Sequence, residues 1–280
     1  MTKPRAGFQG ELGAFSQEAA RQLLGDEAQV VPYQKFEDVF RALERREIDA
    51  AVIPIENTLA GSVHENYDHL LKYQFRIVGE TNVRIVHNLI APPGVSFKQL
   101  RRVFSHPVAL NQCHDFFEAN PQVQRIPFYD TAGSVKMVIA DKLRDGAGIA
   151  SKVAATIYGG KILKRSIEDD HRNFTRFCLL SARKNPGNLL IAPAKDWKTS
   201  LVFSTKNIPG ALFRCIAAFA LRDISLAKIE SRPLRGKPWE YLFYVDLLGR
   251  EDDPRVQKAL GHLEELADFL RVLGSYPKGG

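Results

Sequence analysis

The run Asn173-Phe174-Thr175-Arg176-Phe177, continued by Leu179-Leu180, is apolar and aromatic except for one amide, one hydroxyl and one guanidinium. Such a segment belongs in or beside a packed interior. As a strand its period of two places Asn173, Thr175 and Phe177 on one face, with Phe174, Arg176 and Cys178 on the other. A hydroxyl next to an aromatic ring suits a small ligand that has a ring and a polar end. The same pattern also describes a core strand whose threonine satisfies its own hydrogen bond. The surroundings decide between the two.

Upstream, strand and helix patterns alternate. Ala6–Gly10 reads as a strand, Gly13-Ala14-Phe15-Ser16 opens a helix through Leu24, and Val30-Val31 reads as a strand. Phe36 to Arg46 is a helix with Phe36, Val39, Phe40 and Leu43 on one face, and Ala50–Ile55 is a near-continuous apolar run typical of a buried parallel strand. A long Val- and Ile-rich piece, Ile77 to Ala91, reads as a crossover into a second lobe with strands at 103–105, 125–129 and 147–150 and helices at 109–117 and 133–143. The opening segment then crosses back. Two α/β lobes joined by two crossings enclose a cleft, where small ligands bind.

After Lys184–Asn188 and Ala192–Lys195, which read as a linker, the order becomes strand, helix, strand, strand, helix, strand. That βαββαβ order describes a ferredoxin-like module. Its first helix is expected to start with Pro209 at the first helical position.

Composition excludes several classes. Of 280 residues, 45% are hydrophobic and 25% charged, and the formal charge of +7 comes from dispersed Lys and Arg with no aromatic interleaving. No nucleic-acid partner is expected from it. Neither a secretory signal nor a run of about 18 apolar residues is present, so no membrane association and a cytoplasmic location are expected. Three well-separated cysteines, Cys113, Cys178 and Cys215, read as reduced core residues, and no Cys or His pair has metal-site spacing. Gly7–Gly13 has the wrong spacing for a dinucleotide or P-loop fingerprint, and no Gly-x-Ser-x-Gly elbow occurs. No metal or cofactor is expected. Any chemistry must run on proton transfer and electrostatic stabilisation.

Four polar clusters fall where strands hand over to helices or turns: Glu56-Asn57-Thr58 with Gly61-Ser62, Ser105-His106-Pro107 with Gln112, Asp130-Thr131-Ala132-Gly133-Ser134, and Ser151-Lys152. Each can be a helix cap, with Ser62 and Glu65 spaced as a capping box. Together they suit a carboxylated ligand held at strand ends.

These motifs, in this order, resemble the prephenate dehydratase family and its plant-type arogenate dehydratase siblings. The resemblance runs from about Gly7 to Pro277 through Gly7-Phe8-Gln9-Gly10, Pro54-Ile55-Glu56-Asn57, Ser105-His106-Pro107, Asp130-Thr131-Ala132-Gly133 and Asn173-Phe174-Thr175-Arg176-Phe177. It implies a periplasmic-binding-protein-like (type II) two-lobed catalytic domain over 1–185, with lobe 1 about 1–80 and 174–185 and lobe 2 about 81–173. A linker at 186–198 and an ACT regulatory domain at 199–280 follow. Thr175 matches the family's catalytic hydroxyl. As a weak acid it would donate a hydrogen bond to a departing hydroxide rather than lose its proton. Substrate contacts are expected at Glu56, Asn57, Thr58, Ser62, Ser105, His106, Thr131, Ala132, Ser151 and Phe177, with Glu56 or His106 as possible proton sources. Arg176 should point away from the cleft.

The ACT resemblance places L-phenylalanine at Asn207, Pro209, Gly210, Ala211 and Leu212 and at Glu230, Ser231, Arg232 and Pro233. Homodimers or homotetramers through ACT domains are implied. The implied substrate is prephenate, with arogenate as an alternative or additional one. A non-catalytic amino-acid sensor is the competing reading from another class.

Overall fold

The computed structural model describes residues 3–182, 196–234 and 236–279. The chain divides into two compact units, residues 1–73 with 81–182 and residues 74–80 with 183–280. Most of the expected linker, residues 183–195, lies outside the described residues.

The first unit holds β1 (Arg5–Gln9), α1 (Phe15–Leu24), β2 (Gln29–Tyr33), α2 (Phe36–Glu44), β3 (Ala50–Asn57), β4 (Gly61–Ser62) and α3 (His64–Lys72). After β5 (Arg76–Arg84) come β6 (Asn88–Ala91), β7 (Arg102–Ser105), α4 (Pro107–Asn111), α5 (His114–Glu118), β8 (Gln124–Pro127) and α6 (Thr131–Ala140). Then follow β9 (Gly146–Ala150), α7 (Lys152–Tyr158), β10 (Lys161–Lys164) and β11 (Phe174–Ser181). One sheet has the order β2-β1-β3-β11-β5, with β4 beside β3; the other has the order β10-β6-β9-β7-β8. These are the two α/β lobes. The long apolar piece is two strands, β5 and β6, one in each sheet, and β11 is the return crossing.

Both sheets are mixed rather than wholly parallel. β11 runs antiparallel to β3, and β6 is antiparallel to both β9 and β10, because each crossing strand enters its sheet from the other lobe. One interior holds Leu89, Val103, Phe116, Phe117 and Ile149. A second packs Phe8 and Ala14 against Ile90, Ala132, Val135 and Ala154, fastening the lobes to each other. Fully burying a side chain such as Phe8 or Ile90 contributes about 1.5–3 kcal/mol. The β1–α1 loop is tied across as well: Ser151 Oγ donates to the Gly13 carbonyl at 2.7 Å, and Tyr158 to the Leu12 carbonyl at 2.8 Å. Gly13 has a φ of +90°, and a Cβ there would come within 2.7 Å of the Ala154 backbone, so this approach requires glycine.

Three local expectations are corrected. The helix expected over 109–117 is broken into α4 and α5. Asp169, distant in sequence, takes the Gln112 carbonyl with its N–H, while its carboxylate caps the N–H groups of His114 and Asp115. Ser62 does not cap α3: it pairs with Glu56 in the β4 strand, and Val63 is the cap residue. Pro209 is not the first helical residue of the next helix. Gly210 precedes that residue as the cap, in the left-handed region with φ 76°.

The second unit contains β12 (Trp197–Ser204), α8 (Ala211–Ala220), β13 (Leu226–Pro233), β14 (Tyr241–Leu248), α9 (Pro254–Leu266) and β15 (Phe269–Pro277). Its sheet has the order β13-β14-β12-β15, antiparallel throughout, which is the ferredoxin-like arrangement. The helices α8 and α9 bury Cys215, Phe219, Val256 and Leu263 against Leu201, Phe203, Val245 and Leu247 of the sheet. No helix among the described residues is long and apolar enough to cross a membrane.

Candidate active site

Between the two lobes lies a cavity of about 440 Å³, lined by Thr175, Phe177, Asn57, Ser62, His106, Gln112 and Thr131 together with Gln9, Phe15, Ser16, His87, Tyr129 and Asp130. That volume suits a small organic ligand. Its lining contains neither lysine nor arginine. Two helix starts face the cavity instead: α1 and α3, ten and nine residues long, begin at its wall, while the start of α6 is already occupied by the Asp130 carboxylate. Helix N-termini attract carboxylates through their aligned dipoles and N–H groups.

Thr175 and Phe177 reach the cavity together because of a bulge that spares β11. Thr175 pairs with Asn57 and Arg176 with Glu56, but Phe177 pairs with Pro54, so the extra residue, Ile55, lies on β3. Alternation along β11 is therefore unbroken. Arg176 does not line the cavity; its Nε lies 3.2 Å from Glu56 Oε1 in an ion pair.

The threonine hydroxyl is set by its neighbours. Asn57 Nδ2 donates to Thr175 Oγ1 at 3.0 Å, and also contacts Asn173 Oδ1 at 2.7 Å and the Phe174 carbonyl at 3.1 Å. Asn57 Oδ1 accepts from the N–H groups of Leu59 at 3.0 Å and Ala60 at 2.8 Å. Asn173 Nδ2 donates to Gln112 Oε1 at 2.9 Å, and Gln112 Nε2 returns to Asn57 Oδ1 at 3.4 Å. Thr175 Oγ1 thus accepts from below, and its own hydrogen is left for a partner in the cavity.

Of the residues expected in the cleft, Thr175, Asn57, Ser62, His106, Thr131 and Phe177 line one cavity; Glu56, Thr58, Ser105, Ala132 and Ser151 do not. The second group has other work. Glu56 faces Arg176. Thr58 Oγ1 donates to the Arg172 carbonyl and accepts from Phe174 N–H, stapling β3 to the segment before β11. Ser105 is wholly buried and donates to the Ile149 carbonyl. Ser151 caps α7, and Ala132 packs in the interlobe core. Of the two candidate proton sources, only His106 lines the cavity. Glu56 is off the cavity, and His106 Nδ1 accepts from Val108 N–H while burial lowers its imidazole below the usual range.

The cavity also holds groups outside those expectations. Asp130 caps α6 by accepting from Gly133 N–H at 2.6 Å, and burial, opposed by backbone hydrogen bonds, pushes its carboxyl up to about 6. Tyr129 donates to Glu11 at 2.9 Å from across the cleft. His87 is buried, with Nε2 2.9 Å from Gln112 Oε1 and its ring edge-on to Phe15. Nothing in the sequence singled it out, since the crossing also carries Glu80, Thr81, Asn82, Arg84 and Asn88.

In the second unit the two groups of candidate effector residues sit at one end of the sheet. The turn carrying Asn207, Pro209, Gly210, Ala211 and Leu212 leaves the end of β12 at Ser204, which pairs with Leu242; Leu242 in turn pairs with Arg232. Glu230, Ser231, Arg232 and Pro233 lie on the edge strand β13, about 10 Å from β12 at two strand spacings.

A cleft between two α/β lobes with an unspent hydroxyl donor, followed by a ferredoxin-like module, is an arrangement suited to a small-molecule enzyme that carries a second, separate unit. The prephenate dehydratase family model matches residues 6–185 and the ACT domain model residues 199–265. Arogenate dehydratase/prephenate dehydratase 2 of Arabidopsis thaliana is 45% identical over 285 residues, covering 99% of this chain and 73% of the plant protein. Among solved structures, the prephenate dehydratase of Arthrobacter aurescens in complex with L-Phe superposes with a TM-score of 0.88 at 31% identity, covering 98% of this chain and 90% of that one. GqqA, described as a novel type of quorum quenching acylase, superposes with a TM-score of 0.87 at 31% identity, covering 98% of this chain and 97% of that one. The chain belongs to the prephenate dehydratase family and is a lyase with an ACT domain.

Proposed function

We propose that the chain converts prephenate to phenylpyruvate by decarboxylating dehydration, with arogenate as alternative or additional substrate, in L-phenylalanine biosynthesis. The observation that carries this reading is the Thr175 hydroxyl: it lines the cavity while its oxygen accepts from Asn57. Ring aromatisation drives loss of carbon dioxide and water, so the protein needs chiefly to stabilise the departing hydroxide. The Thr175 hydrogen is donated to that oxygen as charge develops, and Asn57 holds the threonine in register. Phe177 meets the ring. The carboxylates lie against the starts of α1 and α3, near Ser16 and Ser62, where helix ends replace a guanidinium.

Incubating the purified chain with each substrate and measuring phenylpyruvate and phenylalanine tests the reading. Product from one or both is expected; no product from either overturns it. Phenylalanine binding without turnover would favour the sensor alternative.

The regulatory half of the proposal places L-phenylalanine between the Gly210 turn and Glu230–Pro233, with homodimers or homotetramers formed through the ACT domains. Supporting the pairing, Phe213 on α8 and Leu221 just after it are each about three-quarters exposed, and β13 is an edge strand carrying exposed Ile229. An effector acts only by binding two states unequally, so added phenylalanine should change turnover or subunit assembly. No change in either would remove this half. A cytoplasmic setting belongs to the same proposal, supported by three buried cysteines that keep their thiols reduced.

A further inference from the structure

The polar cluster beneath Thr175 has a direction, and two backbone groups set it. The N–H groups of Leu59 and Ala60 can only donate, so the Asn57 atom they meet is its oxygen. Asn57 Nδ2 must then face Asn173 and Thr175, which makes Asn173 Oδ1 an acceptor and Asn173 Nδ2 the donor to Gln112 Oε1. A Gln112 amide turned over would set nitrogen against Asn173 Nδ2 and oxygen against Asn57 Oδ1, two repulsive contacts in place of two hydrogen bonds.

One contact is left. His87 Nε2 lies 2.9 Å from the same Gln112 Oε1, and an amide oxygen cannot donate, so the imidazole carries its hydrogen on Nε2. Its other nitrogen, Nδ1, is buried and has no hydrogen-bond partner. A lone pair in that position is tolerable, whereas a proton there would be a buried donor with no acceptor. The ring's surroundings agree with a neutral form. Phe15 meets it edge-on at 6.0 Å, and burial lowers its affinity for a second proton, against the opposing pull of Gln112, Glu168 and Asp169. The Glu168 carboxylate is engaged elsewhere, accepting the His87 backbone N–H at 2.9 Å and lying 3.6 Å from Arg84 and 3.4 Å from His171.

We propose that His87 is a positioning residue for the dehydration: as the neutral Nε2–H tautomer it adds a hydrogen bond that holds the Gln112 amide in the place the Leu59 and Ala60 N–H groups dictate through Asn57 and Asn173, and so keeps Asn57 donating to Thr175 with the threonine hydrogen toward the cavity. This role rests on the function proposed above. His87 itself donates no proton to substrate. Its work is to keep a ring of three amides in phase, so that one hydroxyl arrives already aimed.

The test combines kinetics with a direct reading of the ring. His87→Leu should lower kcat about tenfold, the worth of one neutral hydrogen bond, with KM close to wild type. His87→Gln, whose amide nitrogen reaches the former Nε2 position, should recover most of that loss. Nitrogen-15 NMR of the wild-type chain at pH 7, with the His87 signals assigned by their absence in His87→Gln, should show a neutral ring protonated on Nε2. Unchanged kcat in a folded His87→Leu, a His87→Gln variant as slow as His87→Leu, or a hydrogen on Nδ1 overturns the proposal. A wild-type chain inert toward both substrates overturns the functional reading and this role with it. An active wild type with an indifferent His87→Leu overturns the role alone.

Discussion

Around Thr175 the clustered polar groups are neutral amides, Asn57, Asn173 and Gln112, hydrogen-bonded in a ring; in the C-terminal unit they are ions and hydroxyls. There, Lys198 Nζ lies 2.7 and 3.0 Å from the two oxygens of Glu80, whose carboxylate also accepts from Gly279 N–H at 3.1 Å. Ser200 donates to Asp246 and accepts from Tyr276 at 2.6 Å. The C-terminal groups are buried, whereas Asn57 and Gln112 are half-buried at the cavity wall, and the two clusters differ in what they leave over. In the C-terminal cluster, Lys198, Ser200 and Tyr276 each meet an acceptor within the protein. In the cleft, the amides are spent on one another and on Thr175, while the threonine hydrogen has an open cavity in front of it. Polarity that closes on itself holds a fold together, and polarity with one donor outstanding makes a site.

The difference can be broken at either end. Thr175→Val removes the outstanding donor together with one acceptor of Asn57, which keeps Asn173 Oδ1 and the Phe174 carbonyl, so kcat should fall about 100- to 1,000-fold while the loss of stability stays near ~1 kcal/mol. Steady-state turnover and calorimetry on the same sample check it, and turnover near wild type would contradict the assignment. Lys198→Met should do the reverse. It removes the cation facing the Glu80 carboxylate, whose side chain is 1% exposed, and should cost about 3–5 kcal/mol in urea unfolding while turnover of the folded protein holds.

Asp130, at the cavity wall, combines features of both clusters. Burial raises its carboxyl from an ordinary 3.8 to about 6. The stability linked to its protonation is fully present below about pH 4 and is lost as pH rises through about 6. Ionised at pH 7, the carboxylate therefore costs on the order of 3 kcal/mol. Asp130→Asn keeps an oxygen for the Gly133 N–H without the charge, so it should be more stable than wild type at pH 7 and lose that advantage by pH 4. A difference that does not vary with pH would break this point. The smallest effect is expected at Ser105, whose hydroxyl is spent on the Ile149 carbonyl. Ser105→Ala should cost about 1 kcal/mol and leave turnover nearly unchanged.

The two-lobed and ferredoxin-like architectures were legible because periodicity and chain order carry them. The continuous apolar run of β3, the two extended crossings and the βαββαβ order each depend on local pattern. Thr175 and Phe177 were placed on one face by alternation alone, and both line the cavity because the bulge fell on β3. What was not legible depends on distant partners. The break between α4 and α5 is made by Asp169, and Glu56 is drawn off the cavity by Arg176 across the β3–β11 ladder. Ser105 and Ser151 looked like ligand contacts because strand-end hydroxyls serve caps and sites equally well. His87 had no motif to mark it; only the folded chain brings it to Gln112.

The central claim is that the Thr175 hydrogen is free for the substrate, and neutron diffraction from deuterated crystals of the ligand-free chain reads it directly. The account predicts a deuterium of Asn57 Nδ2 directed at Thr175 Oγ1 and the hydroxyl deuterium of Thr175 pointing into the cavity. A hydroxyl deuterium pointing instead into the Asn57 side chain, with the amide turned over to accept it, would contradict the account.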